Sequence, residues 1–317
     1  MKLQKVHTTT DVHVAGEAFR IIKEAPFMHY QSLKQLHEQL GDRFIEKIRL
    51  LLNEPRGFAG LQGCWLVPPL NQEADAAVLF FNHEGLASLH YGGIVAVMTV
   101  LLECGHLQPR ESNEYKIETI NGVIPVIATM ERDDVVSVRV ESGMCQVIEA
   151  NIPLSYPHID TPFSLVQADQ LYAVFEKRTM TTEIRIEELS ELKQWGRGIL
   201  QALALKAPVQ SVILMDDTHL AQGRVKTITF REDQYIVRSP GFGSTMACYT
   251  SVLSKGRGDI KESFVNESIF GSVLTAQAAT KTKDAYTFHL TSRGFITGMQ
   301  QFVLDPTDPL PAGFLLK

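Results

Sequence analysis

Cysteine is scarce in this sequence. The four present, Cys64, Cys104, Cys145 and Cys248, stand far apart and form no C-x-x-C pair. That spacing argues against a zinc site or a disulfide framework and leaves the thiols as small buried hydrophobes in a reducing, cytoplasmic setting. Histidine pairs at H-x-x-x-H spacing are missing as well. The glycine-rich turns carry neither a dinucleotide fingerprint nor the lysine of a P-loop. No metal and no organic cofactor is expected from such a pattern. Basic charge is in deficit: 30 Lys and Arg against 36 Asp and Glu give a formal net charge of −6. A nucleic-acid partner would need the opposite balance. No apolar run approaches the length that crosses a bilayer, and the opening stretch lacks the apolar core of a secretory signal, so no membrane partner is expected. Solenoid repeats and low-complexity tracts are also lacking.

What is present is an ordinary globular balance, 44% hydrophobic and 21% charged over 317 residues, enough for two domains of usual size. The opening "MKLQKVHTTTDVHVAGE" alternates like a strand, and "AGEAFRII" reads as another. The stretch "KQLHEQLGDRFIEKIRLLLNEPRG" has helical spacing and stops at Pro55 and Gly57. Short strands follow in "GCWLVPP" and "DAAVLFF". From Gly93 to Glu103 the chain is apolar almost all round, which predicts a helix buried on every side, with Gly105 at its stop. More strands lead to "ANIPLSYPHIDTPF", rich in proline and turn residues, which reads as a crossing between domains. The second half repeats the plan. Strands, an amphipathic helix in "EELSELKQWGRGILQALALK" and more strands precede a glycine-rich turn and a second apolar helix, "STMACYTSVLSKG". The class is α/β, with strands wrapped around a central buried helix in each half.

The stretch "VRSPGFGSTMA", Val237 to Ala247, is a strand end, a tight Gly/Pro turn and a helix start. Such a corner can hold an anion on backbone N–H groups. It contains no side chain suited to moving a proton at neutral pH.

Six short motifs occur in an order that resembles the proline racemase family, which includes proline racemases, 4-hydroxyproline epimerases and trans-3-hydroxyproline dehydratases. "DVHVAGEAFRII" is similar to the family's D-x-H-x-G-G-E-x-x-R, and "NEPRGFAGLQGCWLVPP" to its E-P-R-G-H block. "FFNHEG" resembles its N-x-E-G, and "RSPGFGST" stands where the family has D-R-S-P-C-G-T-G-T. "NESIFGS" and "GFITGMQQFVLDPTDPLPAGF" resemble the C-terminal blocks. The resemblance implies a diaminopimelate-epimerase-like fold: two pseudo-symmetric α/β domains, a ligand cleft between them, and each central helix aimed into it by its N-terminus. It also implies a discontinuous first domain, 1–150 plus 297–317, a second domain of 151–296, and a homodimer. The chemistry it implies is cofactor-independent isomerisation of an amino acid.

Removing a weakly acidic Cα proton without a cofactor calls for a base on one face and an acid on the other. Two cysteines at helix N-termini meet that need, because the helix end lowers a thiol's pKa and binds the substrate carboxylate. Counting forward from "NHEG", the first family cysteine falls on His90, its glycine on Tyr91, and the family's histidine on Gly92, with Gly93 next. The second cysteine falls on Gly241. The family's amine-binding aspartate is Val237, a pocket-lining Gly-Gly pair is Ala168 and Asp169, and the first glycine of the opening motif is Ala15. Cys248 lies about 10 Å beyond Gly241 along a helix, and Cys104 at the far end of the other. The chain thus reads as a divergent member lacking both catalytic cysteines.

His90 has two readings. It is a neutral base at a helix N-terminus, or it fills the space of a lost thiol. Tyr91 reads as a hydroxyl donor or as packing, and Asp169 as an amine ligand or a solvated turn residue. Gly92, Gly93, Phe242, Gly243, Ser244 and Thr245 complete the expected ligand-binding set; for Ser244 and Thr245 capping alone is the plain alternative. His13, Glu17, His83 and Glu84 read as scaffold, Arg20 and Arg56 as arginines that match the family pattern, and Arg238, matched likewise, as either an anion contact or a brace. The function expected is a protein that binds a small amino or hydroxy carboxylic acid between two helix N-termini, without two-thiol racemase activity. The alternative is an isomerase or lyase with His90 as its single base.

Overall fold

Two stretches of this chain are apolar around the whole circumference of a helix, and each becomes the axis of a separate unit. The computed structural model describes residues 5–24, 29–87, 89–156, 159–177, 182–204, 209–233, 235–283, 285–305 and 307–316. The chain divides into Met1–Val140 with Arg293–Lys317, and Glu141–Ser292. The division stands ten residues before the 150/151 boundary read from the sequence, and the return four before 296/297. Strand pairing accounts for both offsets. The strand Cys145–Ile152 pairs with strands of the second unit, and Gly294–Leu304 with the first strand of the chain. The proline-rich crossing therefore lies within the second unit, and its Pro157 and His158 fall outside the described residues.

The first unit contains β1 (Lys5–Val14), β2 (Glu17–Ile22), α1 (Leu33–Gln39), α2 (Asp42–Leu52), β3 (Gln62–Val67), β4 (Ala76–Asn82), β5 (Gly85–Ala87), α3 (Tyr91–Glu103), β6 (Glu114–Thr119), β7 (Gly122–Glu131) and β8 (Asp134–Glu141). Its α3 is buried from Tyr91 to Leu102. A sheet buried on both faces needs apolar residues at successive positions, and β4, "AAVLFFN", has them. Phe80 turns inward beside Gly93 of α3, while Leu79 and Phe81 turn outward to the core formed with α1 and α2. The helical stretch read from Lys34 to its stop at Pro55 and Gly57 holds two helices, because the chain turns extended at Leu40 and Gly41. Glycine is among the weakest helix formers, and Gly41 serves as the N-cap of α2.

The second unit contains β9 (Cys145–Ile152), β10 (Ser155–Tyr156), β11 (Ile159–Asp160), β12 (Phe163–Gln167), β13 (Leu171–Glu176), α4 (Leu189–Leu203), β14 (Ser211–Asp216), β15 (Arg224–Arg231), β16 (Ile236–Val237), α5 (Phe242–Ser254), β17 (Ser263–Ser268), β18 (Val273–Thr282) and β19 (Ala285–Ser292). The chain then re-enters the first unit as β20 (Gly294–Leu304), antiparallel to β1. In the second unit β9 pairs with β12, β12 with β13, β13 with β14, β14 with β15, β15 with β17, β17 with β18, β18 with β19, and β19 with β9. The ring closes around α5, so α5 is buried from Phe242 to Leu253. Closure removes the sheet edges that would otherwise need protection. The helix α4 covers the outside of this ring with Leu192, Trp195, Ile199 and Leu203. Among the described residues, no helix is long and apolar enough to cross a membrane.

Helix α4 approaches its sheet so closely that a methyl on Gly196 would lie 2.4 Å from the Phe230 ring. Gly196→Ala is predicted to destabilise the protein by about 1–3 kcal/mol through overpacking, despite alanine's better helix propensity. Urea unfolding checks this; a stabilised variant would contradict the packing described.

Candidate functional site

A helix buried along its length leaves the N–H groups of its first turn without carbonyl partners. At α3 the residue that meets them is His90, in extended conformation at the N-cap. Its Nδ1 accepts from the Gly93 N–H at 3.3 Å. Only an unprotonated ring nitrogen accepts, so a neutral His90 carries its proton on Nε2. That nitrogen is 3.2 Å from Glu17 Oε1, at the start of β2. Phe19, two residues on, meets the imidazole edge-on with centroids 5.0 Å apart. The ring is therefore held on three sides. Tyr91 is buried at 7% exposure, which places most of its surface in packing. Gly93 has no room for a side chain: a methyl there would lie 2.6 Å from Phe80 and 3.2 Å from Cys64 Sγ.

At α5 the arrangement differs. Gly241 is the N-cap with φ 72° and ψ 128°, and as a glycine it makes no side-chain cap bond of its own. The Gly241 N–H donates to Ser239 Oγ at 3.1 Å, and its carbonyl accepts from Thr245 N–H at 2.9 Å and Thr245 Oγ1 at 2.7 Å. Any L-side chain at that φ is strained, and a methyl there would lie 2.9 Å from Ser244 Oγ and 3.7 Å from Val237 Cγ1. Ser244 Oγ accepts from Thr229 Oγ1 at 2.8 Å. Ser244 and Thr245 are buried and bonded inward, so what this turn offers outward is backbone.

The turn between β12 and β13 lays a carboxylate against α5. A methyl on Gly243 would lie 2.1 Å from Asp169 Oδ1 and 2.0 Å from Tyr172 Oη. Asp169 Oδ1 accepts from Tyr172 Oη at 3.0 Å and from the Gln170 N–H at 3.1 Å. A negative charge is favourable beside a helix N-terminus. Asp169 is an exposed turn residue, and its contact with α5 spans more than seventy residues of sequence. Phe242, at the first position of α5, is buried.

Three of the four thiols are buried. Cys64 and Cys248 are fully buried, and burial pushes both thiols up, with the charges of Glu17 and Glu176 adding respectively. Cys145 sits 3.8 Å from Met246 Sδ, its pKa pushed up to about 12 by burial and then by Asp169. Cys104 is the C-cap of α3. The other polar residues singled out by sequence have structural partners. Arg20 forks onto Asp11 and reaches the carbonyls of Leu51 and Arg56 and the side chain of Gln300. Arg56 pairs with Asp308, His83 Nδ1 with Asn53 Oδ1, and His13 stacks on Phe295. The Glu84 carbonyl takes a bond from Arg49, and Arg238 lies over Tyr235. Among the described residues, no group of three or more His, Cys, Asp or Glu could hold a metal ion.

The family model described as proline racemase matches residues 9–315. A trans-3-hydroxy-L-proline dehydratase of Bacillus cereus is 29% identical, with both chains covered in full. A proline racemase of Acetoanaerobium sticklandii is 25% identical over 99% of each chain. The crystal structure of a hydroxyproline epimerase from Agrobacterium vitis, with bound trans-4-OH-L-proline, superposes with a TM-score of 0.84 at 24% identity, covering 99% of this chain and 96% of that one.

Burial separates the cysteines. Under native conditions at about pH 8, Cys104, which is partly exposed, is expected to alkylate while Cys64, Cys145 and Cys248 resist; in urea all four should react. Mass spectrometry of iodoacetamide-treated protein reads this. Native modification of a buried thiol at the rate of a free one would contradict the structure.

Proposed function

The chain belongs to the proline racemase family, and on that premise we propose that it binds a small, proline-like carboxylic acid without two-thiol racemase chemistry. Each unit, taken by itself, offers a glycine-bearing helix N-terminus, that of α3 in the first and that of α5 in the second, whose backbone N–H groups suit a carboxylate. Support for the ligand class comes from the relatives, which are named for proline or hydroxyproline chemistry.

The observation that carries the reading is the state of His90. Its one lone pair is turned to Gly93 and its other nitrogen faces Glu17, so the ring acts as a cap. Gly241 supports the same conclusion. A cysteine there would meet a backbone at φ 72°, so the turn is fitted to glycine. Read against the motif order, the two family cysteines fall on a capping imidazole and a bare backbone.

A second reading has an observation of its own. A carboxylate bonded to one ring nitrogen orients the other as a base, and Glu17 stands in that place. Were Nδ1 to release Gly93 on ligand binding, His90 would be a single base for exchange or elimination.

One experiment separates the two. The purified protein is incubated in deuterated water with L-proline, trans-4-hydroxy-L-proline and trans-3-hydroxy-L-proline. The proposal expects at least one of them to raise the melting temperature, with stabilisation of about 2.7 kcal/mol at a hundred times its Kd. It expects no deuterium at Cα and no change of configuration. Deuterium incorporation that is lost in His90→Ala would establish the second reading. Racemisation that survives His90→Ala would overturn both.

A further inference from the structure

The motif "NESIFGS" takes no part in the ligand reading above, yet its first residue reaches the α5 turn. Asn266 lies on β17 and is fully buried. Its Nδ2 donates to the Pro240 carbonyl at 3.2 Å and to Thr245 Oγ1 at 3.0 Å. Its Oδ1 accepts from Thr227 Oγ1 on β15 at 2.9 Å. These partners fix the orientation of the amide, since a flipped group would set its oxygen against the Pro240 carbonyl. The two donor bonds straddle Gly241. One holds the residue before it, and the other holds Thr245, whose own hydroxyl holds the Gly241 carbonyl. A glycine with no side chain of its own has a wide choice of backbone conformations. Here one buried amide on a neighbouring strand ties both of its flanks.

We propose that Asn266 is a positioning residue: it locks the Gly241 turn so that the first-turn N–H groups of α5 are set in place before a ligand arrives. The proposal rests on the ligand reading of that turn given above. Pre-organisation of this kind raises affinity by removing an ordering cost from binding. The side chain needs no contact with the ligand. Asparagine suits the place because it combines two donors with an acceptor in a planar group; aspartate of the same shape has acceptors only at neutral pH.

The test compares Asn266→Asp with Ile199→Val, a core truncation in α4 that lies outside this network. Amide hydrogen exchange over 237–247 is measured for both and for the parent, alongside affinity for L-proline and trans-4-hydroxy-L-proline. Asn266→Asp is expected to speed exchange of the Gly241 and Thr245 amides, which donate to Ser239 Oγ and to the Gly241 carbonyl, by about tenfold or more, and to weaken ligand binding by a similar factor, beyond any effect of lost global stability. Ile199→Val should leave the exchange of that turn and the affinity within about twofold of the parent, so that a general loosening of the unit is excluded. If Asn266→Asp does not fold, Thr245→Val cuts the same link from the helix side and should give the same faster exchange. Parent-like exchange in the folded Asn266 variant, or in Thr245→Val when that stands in, overturns the proposal. So does faster exchange with unchanged affinity. If the parent binds neither compound, the ligand reading fails, and the positioning proposal, which depends on it, is overturned with it.

Discussion

Backbone N–H groups at the start of a buried helix must find partners, and in each unit of this protein that need falls on a glycine-bearing turn. Both helices are buried all round by strands, so their first-turn N–H groups must be met at the helix ends. The two ends meet the demand differently. The turn before α3 uses the ring of His90, which in turn engages Glu17. The turn before α5 has a glycine at its N-cap, and its shape is set by Ser239, Thr245 and Asn266, with Asp169 laid against Gly243. One end is closed by an imidazole; the other is a rigid backbone surface beside a carboxylate.

This difference bears on chemistry. A base needs an available lone pair, and a cap uses one. Where a neutral imidazole accepts from a helix N–H, its basicity serves the fold, and proton transfer requires the bond to break first. A thiol needs ionisation, and the three buried cysteines are held in their neutral form by apolar surroundings and nearby carboxylates. What both ends retain is the capacity of oriented peptide groups to attract charge, which needs no reactive side chain.

Much of the fold was legible because its signals are local. The runs around Ile94–Leu102 and Met246–Leu253 could be buried helices only, and the glycines at 105 and 241 punctuate them. The break at Leu40–Gly41 was less visible, since apolar spacing continues across it while the backbone does not. The turns themselves were located by their motifs, but their inner bonding was not. Glu17 read as scaffold because nothing in the sequence brings it to His90. Asn266 read as part of a block with no assigned task, and Asp169, read as an amine ligand or a solvated turn residue, is an exposed turn residue whose contact with Gly243 the sequence did not show. Each of these meets its partner far along the chain: Glu17 meets His90, Asn266 meets Thr227 through the pairing of β15 with β17, and Asp169 meets Gly243 of α5. Sequence reading finds the residue types that chemistry would require; only the register of the sheets decides which of them meet.

The state of the His90 ring is the point on which the account turns, and nitrogen-15 NMR of the imidazole reads it directly. In ligand-free protein at neutral pH, the account predicts a neutral ring with its proton on Nε2 and an unprotonated Nδ1 coupled to the Gly93 amide. A ring protonated on Nδ1 would contradict it, for then no lone pair would face the helix and His90 would not be its cap.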